Sequence, residues 1–286
     1  MSAQHLLIAG LGYSGMATAR AALAAGWQVS GTARDPARLT APPGVTVLRF
    51  AEAAPALATA THLLVTAAPT EAGDPILAAF GPPPALRWVG YISTTGVYGN
   101  HNGGWVTEAT PPTPTQDRTR RRLAAEQAWA ALAPRCAVDI LRAGGIYGPG
   151  RSPFDELRDG TARRTVKPGH AFSRIHVEDI AQAALAALGT AATTGLRTCN
   201  LVDDEPCESA AVVEYAAQLL GIQPPPAIPF AEAEARMSPM ARSFWSENRR
   251  VANAATKAAL HLNWRYPTYR EGLAAIFAEE SGHRAP

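Results

Sequence analysis

The sequence predicts an α/β fold: a doubly wound parallel sheet with a small, helix-rich lobe in its C-terminal part. Three observations predict it. Short apolar runs alternate with Ala-rich helical stretches through the first half, the pattern of parallel strands buried on both faces and joined by crossover helices. The first apolar run passes directly into a glycine-rich turn and then into a helical stretch. Proline clusters at Pro82 to Pro84, Pro111 to Pro114 and Pro224 to Pro226 fall between these segments. They belong in loops, because proline ends helices and cannot donate to a central ladder. A chain of 286 residues, 47% of them hydrophobic, is large enough for a sizeable core in one α/β domain with a smaller lobe.

The elements follow in order. Leu6 to Ala9 is the first expected strand, Gly10 to Gly15 a turn, Met16 to Ala25 a helix and Trp27 to Thr32 the second strand. Val45 to Phe50, His62 to Ala67 and Arg87 to Ser93 complete the first series of strands. Short helices fit Asp35 to Leu39 and Asp74 to Phe80. Asp35 would cap the former, with Pro36 at its first helical position. Arg118 to Leu132 reads as a long helix, Ala137 to Leu141 as a strand, Val177 to Leu188 as a helix and Cys199 to Val202 as the last strand.

The turn is Gly10-Leu11-Gly12-Tyr13-Ser14-Gly15, a G-x-G-x-x-G between strand and helix. The first glycine permits the tight turn, the second lets a pyrophosphate approach the backbone, and the third lets helix pack closely on strand. The N-terminus of the following helix then faces the phosphates, with Tyr13 and Ser14 of the turn expected beside them. This makes the fold Rossmann-type, with residues 1–145 as the dinucleotide-binding domain, completed by about 176–202. Residues 146–175 and 203–286 are then the smaller, substrate-binding lobe. Ala67, ending the fourth strand, is expected beside the cofactor. At the end of the second strand Thr32 stands where an NAD site has an acidic residue for the ribose, and Arg34 and Arg38 follow. Guanidinium groups bind phosphate bidentately, so NADP is the expected cofactor, with NAD the alternative.

Composition narrows the partners. A net charge of +2 gives no reason to expect nucleic acid or a membrane surface. Three cysteines without C-x-x-C suggest neither a disulfide framework nor a metal site. No basic segment precedes the first apolar run, and no apolar run reaches the ~18 residues of a membrane span. A soluble cytoplasmic protein with a small-molecule substrate is expected.

Further along stand Ile92-Ser93-Thr94-Thr95-Gly96-Val97-Tyr98-Gly99, Ile140-Leu141-Arg142-Ala143-Gly144-Gly145-Ile146-Tyr147-Gly148-Pro149-Gly150-Arg151, and Arg174-Ile175-His176-Val177-Glu178-Asp179-Ile180-Ala181. Asn200 to Pro206 and Tyr266 to Leu273 follow. In this order the segments resemble the extended short-chain dehydrogenase/reductases, the NAD-dependent epimerase/dehydratases, over nearly the whole chain. The resemblance implies a Ser/Thr–Tyr–Lys set beside the nicotinamide and, through a helix pair that includes 118–132, a homodimer. Thr94 matches the hydroxyl. The Tyr-x-x-x-Lys places hold Arg118 and Arg122 instead, and no tyrosine in the chain has lysine four residues later. The tight glycine spacing and the missing pair resemble the atypical members of the superfamily.

The departure matters chemically. A phenol beside an ammonium can give or take the proton that accompanies hydride transfer, whereas arginine stays protonated and cannot. Arg118 and Arg122 can hold an oxyanion but cannot replace the phenol. Tyr98 is one substitute acid; His101, Tyr147 and His176 are others. Arg120-Arg121-Arg122 also fits a solvated helix face, with Arg122 pairing Glu126 four residues on. The expected function is an NAD(P)-binding oxidoreductase or epimerase-like protein acting on a small polar or nucleotide-linked substrate with non-standard acid chemistry. The alternative is a non-catalytic NADP(H)-binding sensor or scaffold.

Overall fold

The structure, a computed structural model, describes residues 4–282. Seven strands form one parallel sheet: β1 (His5–Ala9), β2 (Gln28–Ala33), β3 (Val45–Arg49), β4 (His62–Val65), β5 (Trp88–Thr94), β6 (Ala137–Ala143) and β7 (Gly195–Leu201). Their order across the sheet is β7-β6-β5-β4-β1-β2-β3, with every neighbouring pair parallel. The chain winds outward from β1 to β3, then returns to β4 on the other side of β1. That reversal opens a crevice beyond the C-terminal ends of β1 and β4, where ligands of this architecture bind.

Four helices bear on the site: α1 (Tyr13–Ala24), α2 (Asp117–Ala130), α3 (Val177–Gly189) and α4 (Pro239–Trp245). Strand side chains alternate faces, and both faces are covered. Leu6, Ile8, Leu64 and Leu141 pack with Ala19 and Ala22 of α1 and Ile180, Ala183 and Ala187 of α3. Leu7, Ala9, Leu63, Val65 and Ile140 pack on the other face with Leu57, Ile76 and, from α2, Ala125 and Trp129. Burial on both faces explains why the strands read as continuous apolar runs rather than alternating ones.

A third core joins Tyr147, Phe154 and Leu157 to Val212, Val213, Tyr269, Leu273 and Ile276. The C-terminal part is not wholly separate from the sheet. Leu260 and Trp264 enter the core beneath α1 and α3, and Arg250–Val251 pairs in parallel with Trp105–Val106. Three local readings are also revised. The Asp35 segment is only a 3-10 turn, Pro36–Arg38, capped by Asp35 accepting from the Ala37 N–H. Strand β7 starts earlier, at Gly195; Gly195 and Leu196 are exposed and Arg197 and Thr198 half-buried at the sheet edge, so no apolar run marks this part of the strand. Helix α1 starts at Tyr13, so the second half of the glycine motif forms its first turn. Among the described residues no helix is long and apolar enough to cross a membrane.

Candidate active site

A cavity of about 870 Å³ lies beyond the C-terminal ends of β1, β4, β5 and β6 and is closed on its far side by α4. Its walls include Gly12, Tyr13, Ser14, Thr66, Thr94, Gly96 and Phe244.

The glycine turn sits at one end, and each glycine is needed for a different reason. Gly10 has φ +111, and a Cβ there would lie 2.7 Å from Thr66 Oγ1. A Cβ on Gly15 would lie 2.2 Å from the Gly10 carbonyl oxygen, so this helix packs too closely for any side chain. Gly12 is different: a Cβ there would meet nothing within 4 Å. Nothing inside the protein requires glycine at that position; the space in front of it is open. Gly12 is also the N-cap of α1 without any side-chain cap. The first N–H groups of α1 therefore face the cavity without side-chain partners, which is the anion-binding arrangement of a helix N-terminus.

Thr32 is buried, and its hydroxyl accepts from the Gly10 N–H at 3.1 Å. It braces the turn and occupies the acidic position of an NAD site with a neutral group. Arg34 and Arg38 are both exposed at the β2 end, and Arg34 lends its carbonyl to Arg49. Ala67 donates its N–H to Ala9 O beside Gly10, which fixes the β4 end against the turn.

At the other end, Thr94 accepts from the Gly96 N–H at 3.1 Å. A hydroxyl has one proton and two acceptor sites, so this bond leaves the Thr94 proton free to be donated into the cavity. Arg122, on α2, donates to Ile92 O at 2.8 Å and to Tyr91 Oη at 3.3 Å, tying α2 to β5 just before Thr94. Its expected partner Glu126 is taken by Arg142 of β6 at 2.7 Å, with the two side chains 7% and 5% exposed, and accepts from Ser93 as well. The solvated-face reading of this segment is thus corrected. Arg120 pairs with Asp117 at the surface, whereas Arg118, Arg121 and Arg122 line the cavity.

Tyr98 is corrected too. It is fully buried and outside the cavity wall, and it donates to Asn200 Oδ1 at 2.7 Å. Burial raises its pKa further. The other substitutes also lie off the wall. His101 bonds the Tyr98 carbonyl, and Tyr147 is buried against His176. The ring of His176 caps α3 through Nδ1, and burial lowers its pKa to about 4. On the wall itself, Tyr13 donates to Pro149 O, with its pKa raised to about 12 by burial. Glu247 accepts from Thr115 and pairs with Arg249.

Arginine at Arg121, Arg151, Arg174 and Arg249 also lines the cavity, which the sequence reading did not assign. Glu247 is the one acid among the lining residues. The cavity is therefore strongly cationic, although the chain is almost neutral. Arg151 lies 5.7 Å from the Tyr13 ring, close to the α1 N-terminus. A signal existed: Gly-Pro-Gly-Arg ends a segment returning from β6, where a charge after two glycines serves no core.

No family model matches the chain. Protein YeeZ of Escherichia coli is 31% identical over 250 residues, which cover 78% of this chain and 86% of YeeZ. A 3-diazoavenalumate denitrifying reductase from Streptomyces is 32% identical over 140 residues; the match spans 47% of this chain but 45% of that relative's length. A functionally unknown conserved protein from Silicibacter pomeroyi has a solved structure that superposes with TM-score 0.88 and 45% identity, covering 97% of this chain and 99% of that one. The same fold recurs in human epimerase family protein SDR39U1 with NADPH (TM-score 0.72, 17% identity, 96% and 99% coverage) and in MoeE5 with UDP-glucuronic acid and NAD (0.76, 19%, 97% and 99%). This chain therefore belongs to one family with YeeZ, and its fold is that of the NAD-dependent epimerase/dehydratase-like short-chain dehydrogenase/reductases.

Proposed function

We propose that this protein is an NAD(P)-dependent oxidoreductase or epimerase-like enzyme, with NADP(H) the preferred coenzyme and a small polar substrate. The observation that carries this reading is the open, uncapped N-terminus of α1 in front of Gly12, at the head of a cationic cavity that runs to the free proton of Thr94. The residues fit a dinucleotide. The N–H groups at Tyr13 and Ser14 would hold its diphosphate, with Arg151 beside them. The neutral Thr32 and the exposed Arg34 and Arg38 favour a 2′-phosphate over a bare ribose. The bound coenzyme supplies hydride chemistry beside Thr94.

The chain's own contribution is binding, orientation and a hydrogen bond. Thr94 donates to the reacting oxygen and polarises it. With Tyr13 and Glu247 both engaged, the proton comes from solvent rather than from a side chain of tuned pKa. General acid catalysis is typically worth about a hundred- to ten-thousandfold, so turnover is slow unless the reduced product needs little protonation. That same lack of a free acid on the wall is what favours the second reading, a sensor that binds NADP(H) without turnover.

Titration with NADPH and NADH, followed by coenzyme fluorescence, tests the proposal. NADPH should bind several-fold more tightly than NADH. Tighter NADH would remove the 2′-phosphate reading, and no binding of either would remove the proposed function altogether.

A further inference from the structure

Helix α2 turns three arginines toward the cavity: Arg118, Arg121 and Arg122. Only Arg122 is satisfied, through Ile92 and Tyr91. Among the described residues Arg118 makes no hydrogen bond or ion pair, although the Glu247 carboxylate acts on its charge through space; its guanidinium lies 3.9 Å from the centre of the Phe244 ring. Arg121 makes no hydrogen bond or ion pair among the described residues. Residues three apart on a helix are neighbours, and unpaired like charges there repel. Two guanidinium groups without hydrogen-bonded partners on one cavity wall have the chemistry to receive an oxyanion.

The facing wall is apolar and unevenly held. Trp245 is anchored: Lys167 donates to its carbonyl at 2.6 Å, and its ring packs edge-on to Phe172 at 5.0 Å and beside Phe230 at 5.4 Å. Phe244 is 53% exposed, and Arg118 is its stacking partner. A flat apolar body carrying a negative group would cover Phe244 while its charge met Arg118 and Arg121. The site lies beside Thr94 and Gly96, because Thr119 between the two arginines packs against Gly96. An anion held there belongs to the substrate, not to the coenzyme diphosphate at Gly12.

We infer that Arg118 and Arg121, one of which stands where the family carries its proton donor, form a specificity site for an oxyanion of the substrate, a carboxylate or phosphate on a flat apolar body that lies against Phe244 and Trp245. The inference rests on the reading of the cavity as a coenzyme-dependent active site. In this chain the tyrosine position has been converted from proton transfer to anion recognition.

Calorimetric titration of the NADPH-saturated protein with benzoate, phenyl phosphate and neutral benzamide tests it. One or both anions should bind, and benzamide should not. Arg118→Gln and Arg121→Gln should each weaken anion binding about ten- to a hundredfold, the range for losing a charged hydrogen bond. NADPH affinity should stay within about twofold and the melting temperature should barely change, since neither side chain makes a hydrogen bond or ion pair among the described residues and Arg118 stacks only on the half-exposed Phe244. Preference for benzoate or for phenyl phosphate separates the two anion chemistries. The inference is overturned if neither anion binds, if benzamide binds equally well, if the variants bind anions like wild type, or if they lose NADPH instead. The same titrations on coenzyme-free protein separate the two claims. Arginine-dependent anion binding in a protein that takes no NADPH would sink the coenzyme reading alone.

Discussion

Individual residues divide into those that serve the fold and those that serve a ligand, and the glycines show the division most sharply. Gly12 has φ −84, open to any residue, and room for a side chain. Gly12→Val should therefore leave the melting temperature nearly unchanged and weaken NADPH binding at least a hundredfold, read by coenzyme fluorescence. Gly15→Ala should behave oppositely. Its Cβ would collide with Gly10 O, and overpacking of this kind costs about 1–3 kcal/mol, so a denaturant midpoint should fall along with binding. Tyr98→Phe separates a packed hydroxyl from a catalytic one. Loss of the bond to Asn200 leaves a buried acceptor unpaired and should cost about 1–3 kcal/mol of stability, while NADPH affinity stays unchanged. Loss of turnover in a stable Tyr98→Phe protein would restore the catalytic reading of that residue.

Among the elements, α2 carries the most information and was the least legible. Its sequence puts Arg122 and Glu126 four apart, a spacing that suggests a surface pair. In the fold Glu126 points inward and meets Arg142, which β6 supplies from the next element of the chain. A carboxylate buried to this degree needs a bidentate partner, and a single helix turn cannot supply one in the core. The signal was Arg142 itself, a charge inside Ile140-Leu141-Arg142-Ala143. Removing one partner of a buried pair typically costs about 3–5 kcal/mol. Glu126→Ala should fall in that range by chemical denaturation, and it should disturb Thr94 as well, because Ser93 shares the same carboxylate. A cost under about 1 kcal/mol would mean the pair is solvated. The strands and α1 were readable because apolar runs and glycine spacing are local properties. Which face of α2 is buried depends on β5 and β6, which no window of sequence contains. The cationic wall was hidden for the same reason, since Arg121, Arg151, Arg174 and Arg249 come from separated segments.

For the molecule as a whole, buried ionisable groups set how stability varies with pH. Burial raises Asp203 from the carboxylate range to about 8 and Asp179 to about 6. Burial lowers His170 and His176 to about 4. A raised carboxylate makes the folded state hold a proton the unfolded chain has lost, so stability falls as pH rises through that window. The lowered histidines act in the opposite direction between about 4 and the ordinary histidine value near 6.5. The two effects oppose each other at acid pH. From about 6.5 to 8 Asp203 acts without that opposition. Melting temperature should therefore fall across that interval, and Asp203→Asn should flatten the fall; an unchanged slope in the variant would assign it to other groups. The overall architecture was legible because a doubly wound sheet announces itself through repeated local units, whereas the packing of 254–264 onto that sheet was not, as its apolar residues read equally well as part of a separate lobe.

A crystal structure of the protein with NADPH is the decisive measurement. The diphosphate should lie on the N–H groups of Tyr13 and Ser14 in front of Gly12, with the nicotinamide ring beside Thr94. Coenzyme bound away from Gly12, or an empty crevice at saturating NADPH, would contradict it.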